Sequence, residues 1–167
     1  MFGRPEKEFL QALWSLQRVE RPGRVLVEQV AARWRKKVSF LRSSQWRELG
    51  KRALERASRE LDGIMVPHGI MHGDFAPWNT RVENGHLFVF DWESTAWDAP
   101  ILWDILHFHV QTGRHVEHTG LVFPYDLRRG HDALYLLYLL NSALQFVEEE
   151  GHQALEHRYR LLLRQIA

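Results

Sequence analysis

The sequence predicts an α+β fold that is mostly helical, with one short β-hairpin near its middle. Three observations predict it. Apolar residues recur at helical spacing through residues 6–61, Asn84-Gly85 stands between two short β-prone runs, and a long, strongly apolar helical stretch lies toward the end.

The elements follow in order. From Glu6 to Val19, Phe9, Leu10, Leu13, Trp14 and Leu16 share one helical face, and Pro22-Gly23 is expected to stop that helix. A second helix is expected from Leu26 to Phe40. A third runs from Ser44 to Leu61, with Ser43 or Ser44 as N-cap and Asp62-Gly63 as the stop, so this half reads as all helix. Ile64-Met65-Val66-Pro67 is a short apolar run, too brief to assign alone. Thr80-Arg81-Val82 and Leu87-Phe88-Val89-Phe90 then flank Asn84-Gly85, a dipeptide that accepts the positive φ angles of a type I′ turn. Ile101 to Thr112 reads as a helix, a loop with Gly113, Gly120 and Pro124 follows, and Asp132 to Glu150 is a long apolar helix. A last helix is expected from Gln153. No repeat and no low-complexity segment interrupts the chain.

Composition bounds the class. With 167 residues, 45% of them hydrophobic, and seven tryptophans, the chain can bury a real core as one domain. No apolar run approaches the ~18 residues of a membrane span, and the first residues lack the basic-then-apolar pattern of a secretory signal. Cysteine is absent. A cytoplasmic protein is the expectation. Net charge is +1, yet residues 1–61 hold 15 Lys/Arg against 7 Asp/Glu and the rest hold 7 against 14. A basic arm can signal nucleic acid or anionic lipid, but Arg33, Arg35, Lys36 and Lys37 interleave with Trp34 and Val38 as on an ordinary amphipathic helix. No nucleic-acid partner is expected. The acidic second part suits a Mg²⁺ site, whereas Glu148-Glu149-Glu150 reads as a solvated face.

The chemistry is concentrated in His72-Gly73-Asp74-Phe75-Ala76-Pro77-Trp78-Asn79 and in Phe90-Asp91-Trp92-Glu93. Transfer of a phosphoryl group to a hydroxyl needs a carboxylate near the nucleophile to take its proton, and further oxygens on a cation. Asp74 suits the first role. Asn79 and Asp91 supply oxygen ligands for Mg²⁺, and the hairpin folds Asp91 back toward Asn79. Glu93 lies two residues past Asp91, so a continued strand would turn both side chains to one face and let Glu93 assist at the metal. His72 is a candidate catalytic-loop residue that serves by hydrogen bonding. Any one of these alone reads as a surface or capping residue. Together, as His-Gly-Asp-x-x-x-x-Asn, a hairpin, then Asp-x-Glu, they point to phosphoryl transfer.

From Val66 to Phe108 these residues resemble the core of the aminoglycoside phosphotransferase and choline kinase group, which has the protein-kinase-like fold. The resemblance implies a C-terminal lobe with Asp74 as base, Asn79 and Asp91 on metal and nucleotide, ATP as donor and a small-molecule hydroxyl as acceptor. It also implies that Asp104, in Trp103-Asp104-Ile105-Leu106, braces the catalytic loop. On this reading residues 1–62 are a helical segment, 63–112 carry loop, hairpin and bracing helix, and 113–167 are C-terminal helices. The chain departs from the family upstream, where a complete member has an N-terminal lobe with a glycine-rich loop and a strand lysine. None of Lys7, Lys36, Lys37 or Lys51 has a strand-like context. Three explanations compete: a fragment of a longer kinase, a partner lobe supplied as a separate polypeptide, or a relic used for binding.

Two rival functions differ in class. A catalytically inactive scaffold accounts for the missing lobe but gives no physical reason to retain Asp74, Asn79 and Asp91 together. A metal-dependent hydrolase would draw on the ten histidines, among them His68, His72, His115 and His118. His107 and His109 are its nearest pair, yet two residues apart on a helix they point in different directions. Trp78, Trp92, Trp97 and Trp103 could cage a quaternary ammonium, but core packing is the expected use, with Trp78 shaping the pocket floor and Trp103 turned inward. Leu136, Leu139, Leu140, Leu144 and Val147 form the buried stripe of a helix. Acceptor identity and oligomeric state are not readable.

Overall fold

A computed structural model describes residues 2–40, 44–112, 130–144 and 161. The mostly helical α+β fold is borne out. The chain forms two compact units that interleave in sequence, Met1–Arg21 with Val66–Pro124 and Pro22–Met65 with Tyr125–Ala167.

The first unit contains the candidate site residues and is built on strands the sequence only partly discloses. Helix α1 (Arg4–Leu16) opens with the Gly3 amide donating to the Glu6 carboxylate at 2.8 Å, and buries Leu10, Leu13 and Trp14 on one stripe. It stops three residues short of Val19. Strand β1 (Arg18–Pro22) follows instead, so the first sixty residues are not all helix. The misreading has a clear cause. Pro22 has no amide hydrogen to lose and its φ of −56° leads into a helix, so Pro22-Gly23 starts the second helix where a stop was expected.

Strand β2 (Met65–Met71) lies between β1 and β5 (Ala96–Pro100) in a three-stranded sheet, and pairs antiparallel with β5 through His68↔Pro100 and Gly69↔Ala99. Arg21 grips Asp98 through two hydrogen bonds of 2.8 and 2.6 Å. Neither β1 nor β5 is legible from alternation, because β1 is nearly all exposed and β5 changes from exposed to buried along its length. The hairpin is as expected. Strands β3 (Thr80–Glu83) and β4 (His86–Val89) pair from Thr80↔Val89 to Glu83↔His86, with Asn84 at φ 51° and Gly85 at φ 79°. Helix α4 (Trp103–Gln111) starts two residues later than expected because β5 runs up to Pro100.

The second unit is helical. Helix α2 (Gly23–Lys37) is continued by a 3₁₀ turn at Val38–Phe40, and α3 (Ser44–Glu60) matches its expected span. Helix α5 (His131–Ala143) is buried on every side from Ala133 onward and packs against α2 and α3. That differs from the single stripe expected of Leu136, Leu139 and Leu140, and follows from a segment that is apolar all round. Polar ends tie it in place: Arg33 donates to Asn141, and Lys37 donates to the Leu144 carbonyl at 3.0 Å. Val147, Glu148-Glu149-Glu150, the Gly113–Pro124 loop with His115 and His118, and the helix from Gln153 lie outside the described residues, as does Ser43. Among the described residues, no helix is long and apolar enough to cross a membrane.

Candidate active site

Strand β2 delivers the chain into the loop His72-Gly73-Asp74, and three separate elements then hold it. Gly73 has φ 89°, and a Cβ there would meet the Ser94 carbonyl oxygen at 2.2 Å, so both conformation and space demand glycine. Asp104, in the first turn of α4 and fully buried, accepts the amide hydrogens of His72 at 2.8 Å and of Gly73 at 2.9 Å. Burial pushes the Asp104 carboxyl above the ordinary aspartate value, while those two donors pull the other way.

His72 is also fully buried. Its Nδ1 accepts the Asp74 amide hydrogen at 3.2 Å, so Nε2 carries the ring proton and donates to the Phe90 carbonyl at 2.8 Å. Both nitrogens are thus taken up by backbone. His72, a candidate catalytic-loop residue, therefore serves through hydrogen bonds within the protein, since no ring nitrogen is left for a substrate. Aromatic packing supports the loop from beneath: Phe75 stacks on Phe9 with centroids 5.8 Å apart, and Trp92 lies 4.6 Å from the His72 ring.

The Asp74 carboxylate is held at both oxygens. Oδ1 lies 2.8 Å from His107 Nε2, and Oδ2 accepts from the Asn79 amide nitrogen at 2.8 Å. That same nitrogen donates to the Asp74 carbonyl at 2.9 Å. The hydrogen bond from His107 is the main influence holding the Asp74 carboxyl below its ordinary range, opposed by partial burial and helped by Asn79. The side chain is 35% exposed, so a solvent-borne group can reach it.

Asn79 spends its nitrogen on Asp74, which leaves Oδ1 as its oxygen for a cation. The Phe90 amide donates to the Asn79 carbonyl at 2.9 Å, so the hairpin carries Asp91 next to Asn79, and Asp91 is exposed. Asp91 has φ 62° and ψ 65°, a left-handed conformation that aspartate tolerates better than most residues. This kink ends the strand. Glu93 consequently sits in a 3₁₀ turn (Trp92–Ser94), and the shared strand face expected of Asp91 and Glu93 does not form. Among the described residues, no group of three or more His, Cys, Asp or Glu side chains is placed to hold a metal ion. Two oxygen donors, Asn79 and Asp91, still fit Mg²⁺, which keeps several waters and takes phosphate oxygens alongside one or two protein ligands.

Two residues of the site were not anticipated in their actual roles. Pairing His107 with His109 as metal ligands does not disclose its contact with Asp74, and no motif singles out Gln111, whose amide lies 3.2 Å from His107 Nε2. His109 is buried beside Phe108, and the two histidines do diverge as expected. The signal available was the spacing Asp104-x-x-His107-x-x-x-Gln111, which puts all three on one helical face. The tryptophans divide. Trp103 is 7% exposed and packs inward, but Trp78 and Trp97 are 61% and 68% exposed and Trp92 is half-exposed, so the expected core role fails for these three. They stand on short 3₁₀ turns and an edge strand, which have too little neighbouring structure to cover an indole.

No curated protein and no solved structure shows a significant match to the chain. A family model described as a phosphotransferase enzyme family matches residues 7–120. That span takes in the loop, the hairpin and α4, together with most of α1 and all of α2 and α3 upstream, and exceeds half of the chain. The chain belongs to this aminoglycoside phosphotransferase-type family of phosphotransferases.

Proposed function

We propose that the chain is an ATP- and Mg²⁺-dependent phosphotransferase domain that transfers the γ-phosphoryl group to a hydroxyl of a small molecule. Enzymes of this family generally use ATP and Mg²⁺. Asp74 is the general base, Asn79 and Asp91 bind the cation, and His72 and Asp104 hold the loop. Glu93 is left outside the metal site because the turn at Asp91 takes it off the strand.

The observation that carries this reading is the Asp74 carboxylate itself. It is fixed at both oxygens and partly open to solvent, and its hydrogen bonds favour the ionised form. Each carboxylate oxygen keeps a lone pair beyond the one already used, so Asp74 can accept the proton of an acceptor hydroxyl brought against it. Asn79 orients Asp74 through its amide nitrogen and presents its oxygen to the cation. When bound, Mg²⁺ supplies charge neutralisation at the nucleotide phosphates. Asp104, by holding the His72 and Gly73 amides, keeps the loop from drifting, and misplacement of about 1 Å at such a site can cost on the order of a hundredfold in rate.

The four lysines, Lys7, Lys36, Lys37 and Lys51, all lie on α1, α2 or α3 and none on a strand. We accordingly place this chain as a C-terminal lobe, with the phosphate-gripping lysine supplied by a second lobe in cis or in trans, and with a cytoplasmic setting where ATP is at hand. Calorimetric titration with Mg·ATP beside Asp91→Ala tests the proposal. Saturable binding lost in the variant is the expected result; equal affinity in both proteins removes Asp91 from the cation site.

A further inference from the structure

We propose that His107 is a positioning residue for the transfer step, a clamp on α4 that fixes the side chain of the base Asp74 while Asp104 on the same helical face holds the loop backbone just before it, at His72 and Gly73. The inference rests on the phosphotransferase reading above and extends it to a residue that reading does not require.

The geometry is specific. His107 Nε2 stands 2.8 Å from Asp74 Oδ1, and the Asn79 amide stands 2.8 Å from Oδ2. The terminal torsion of an aspartate is broad and nearly two-fold, so a carboxylate held at one oxygen still swings about that contact. One held at both oxygens, by groups from two different elements, does not. Asn79 approaches from the 3₁₀ turn Pro77–Asn79 and His107 from α4. His107 is 14% exposed and Asp74 35%, so the clamp comes from the protein side and leaves the base accessible.

Helix geometry explains how one element does two jobs. Asp104 and His107 are three residues apart on α4, hence neighbours on one face. Asp104 takes the amide hydrogens of His72 and Gly73, and His107 reaches the next residue's carboxylate. Gln111, one further turn along, brings its amide to 3.2 Å from the same His107 nitrogen. The loop backbone and the base side chain therefore share a single rigid support, and a shift of α4 moves both together. This contact joins a mostly buried imidazole to the carboxylate proposed as the base.

The test compares wild type with His107→Leu, His107→Gln and Asp74→Asn. Glutamine is chosen because its Nε2 reaches about as far from the backbone as the histidine Nε2 and donates without titrating. Mg·ATP is the probe, with water as acceptor: nucleotide affinity is read by calorimetry and ADP release by a coupled assay. His107→Leu is expected to lower kcat about ten- to a hundredfold with Mg·ATP affinity within about twofold, and His107→Gln to recover most of the loss. Unchanged kcat in His107→Leu overturns the proposal, as does a parallel loss of Mg·ATP affinity that His107→Gln fails to rescue. Asp74→Asn separates the two levels of inference: wild-type turnover in that variant sinks the phosphotransferase reading and the clamp's role with it, whereas a wild type that turns over nothing without its second lobe leaves the decision on the clamp to the spectra that follow. Nitrogen-15 histidine spectra give a readout independent of turnover. The His107 ring signal is expected to move on Asp74→Asn, and a signal that stays put overturns the contact.

Discussion

Replacing Asp104 is the sharpest perturbation the structure offers, because its carboxylate is fully buried and accepts two backbone amides, His72 at 2.8 Å and Gly73 at 2.9 Å. In Asp104→Ala both amides lose their acceptor inside the protein. Each buried, unsatisfied donor costs about 1–3 kcal/mol, so the loss is about 2–6 kcal/mol before compensation. Compensation is real here. Burial pushes the Asp104 carboxyl up, which means the folded state already bears a desolvation penalty that alanine removes. A net loss of about 2–4 kcal/mol follows, and for a chain of this size that lowers Tm on the order of 10 °C. Thermal unfolding reads the total, and hydrogen exchange at the His72 and Gly73 amides reads the cause. Asp104→Asn keeps one acceptor oxygen and turns an NH₂ toward the other amide, so one of the two amides should stay protected and the other should not. A wild-type Tm in Asp104→Ala, with both amides still protected, would refute the reasoning, since it would show that water or another group satisfies them at no cost.

Other perturbations follow from the same contacts. Gly73→Ala imposes a Cβ 2.2 Å from the Ser94 carbonyl oxygen at φ 89° and should cost at least about 1–2 kcal/mol, with turnover falling before global stability; denaturant titration beside an ADP-release assay checks it. Trp103→Ala empties a buried site and should cost about 3–5 kcal/mol, whereas Trp97→Ala, at an exposed indole, should stay within about 0.5 kcal/mol; chemical denaturation of the pair discriminates them. Asp74 has a depressed folded pKa, so its stabilising contribution is fully present above the ordinary value of 3.8 and is lost as pH falls through the lower folded value. Asp104 has a raised one and acts in the opposite sense, its contribution being present below 3.8 and lost as pH rises through the folded value. The stability gap between wild type and Asp74→Asn should therefore narrow only below about pH 3.8, as acid titrations of both proteins would show.

Much of the fold was legible because its signals are local. The stripe Leu10, Leu13, Trp14 declares α1, Asn84-Gly85 declares the hairpin turn, and α3 is bounded by residues that start and stop helices. Strands β1 and β5 were not legible, since neither alternates. What makes Arg18–Pro22 a strand is the availability of β2 as a neighbour and a two-pronged ion pair from Arg21 to Asp98, 77 residues on, both of them facts of tertiary structure. Proline misled for a related reason: Pro22 marks a boundary in either direction, and only the pairing of the residues before it decides which element ends and which begins.

The candidate site divides along the same line. Residues grouped by sequence spacing, Asp74 and Asn79 five apart and Asp91 just past the second strand of the hairpin, could be placed together from the sequence. Residues whose roles depend on which atom faces which could not. His72 passes as catalytic in a motif and proves to spend both ring nitrogens on backbone, whereas His107, expected only as half of a poor metal pair, proves to face Asp74. The direction His107 shares with another histidine says little about its role. On a helix the informative question is which functional residue lies three or four positions away, and for His107 that residue is Asp104. A brace that must point at the loop backbone commits its whole helical face toward the loop, so the residue one turn along is committed to the loop's side chains. In this chain that residue is a histidine, at hydrogen-bond distance from the Asp74 carboxylate, the group proposed as base.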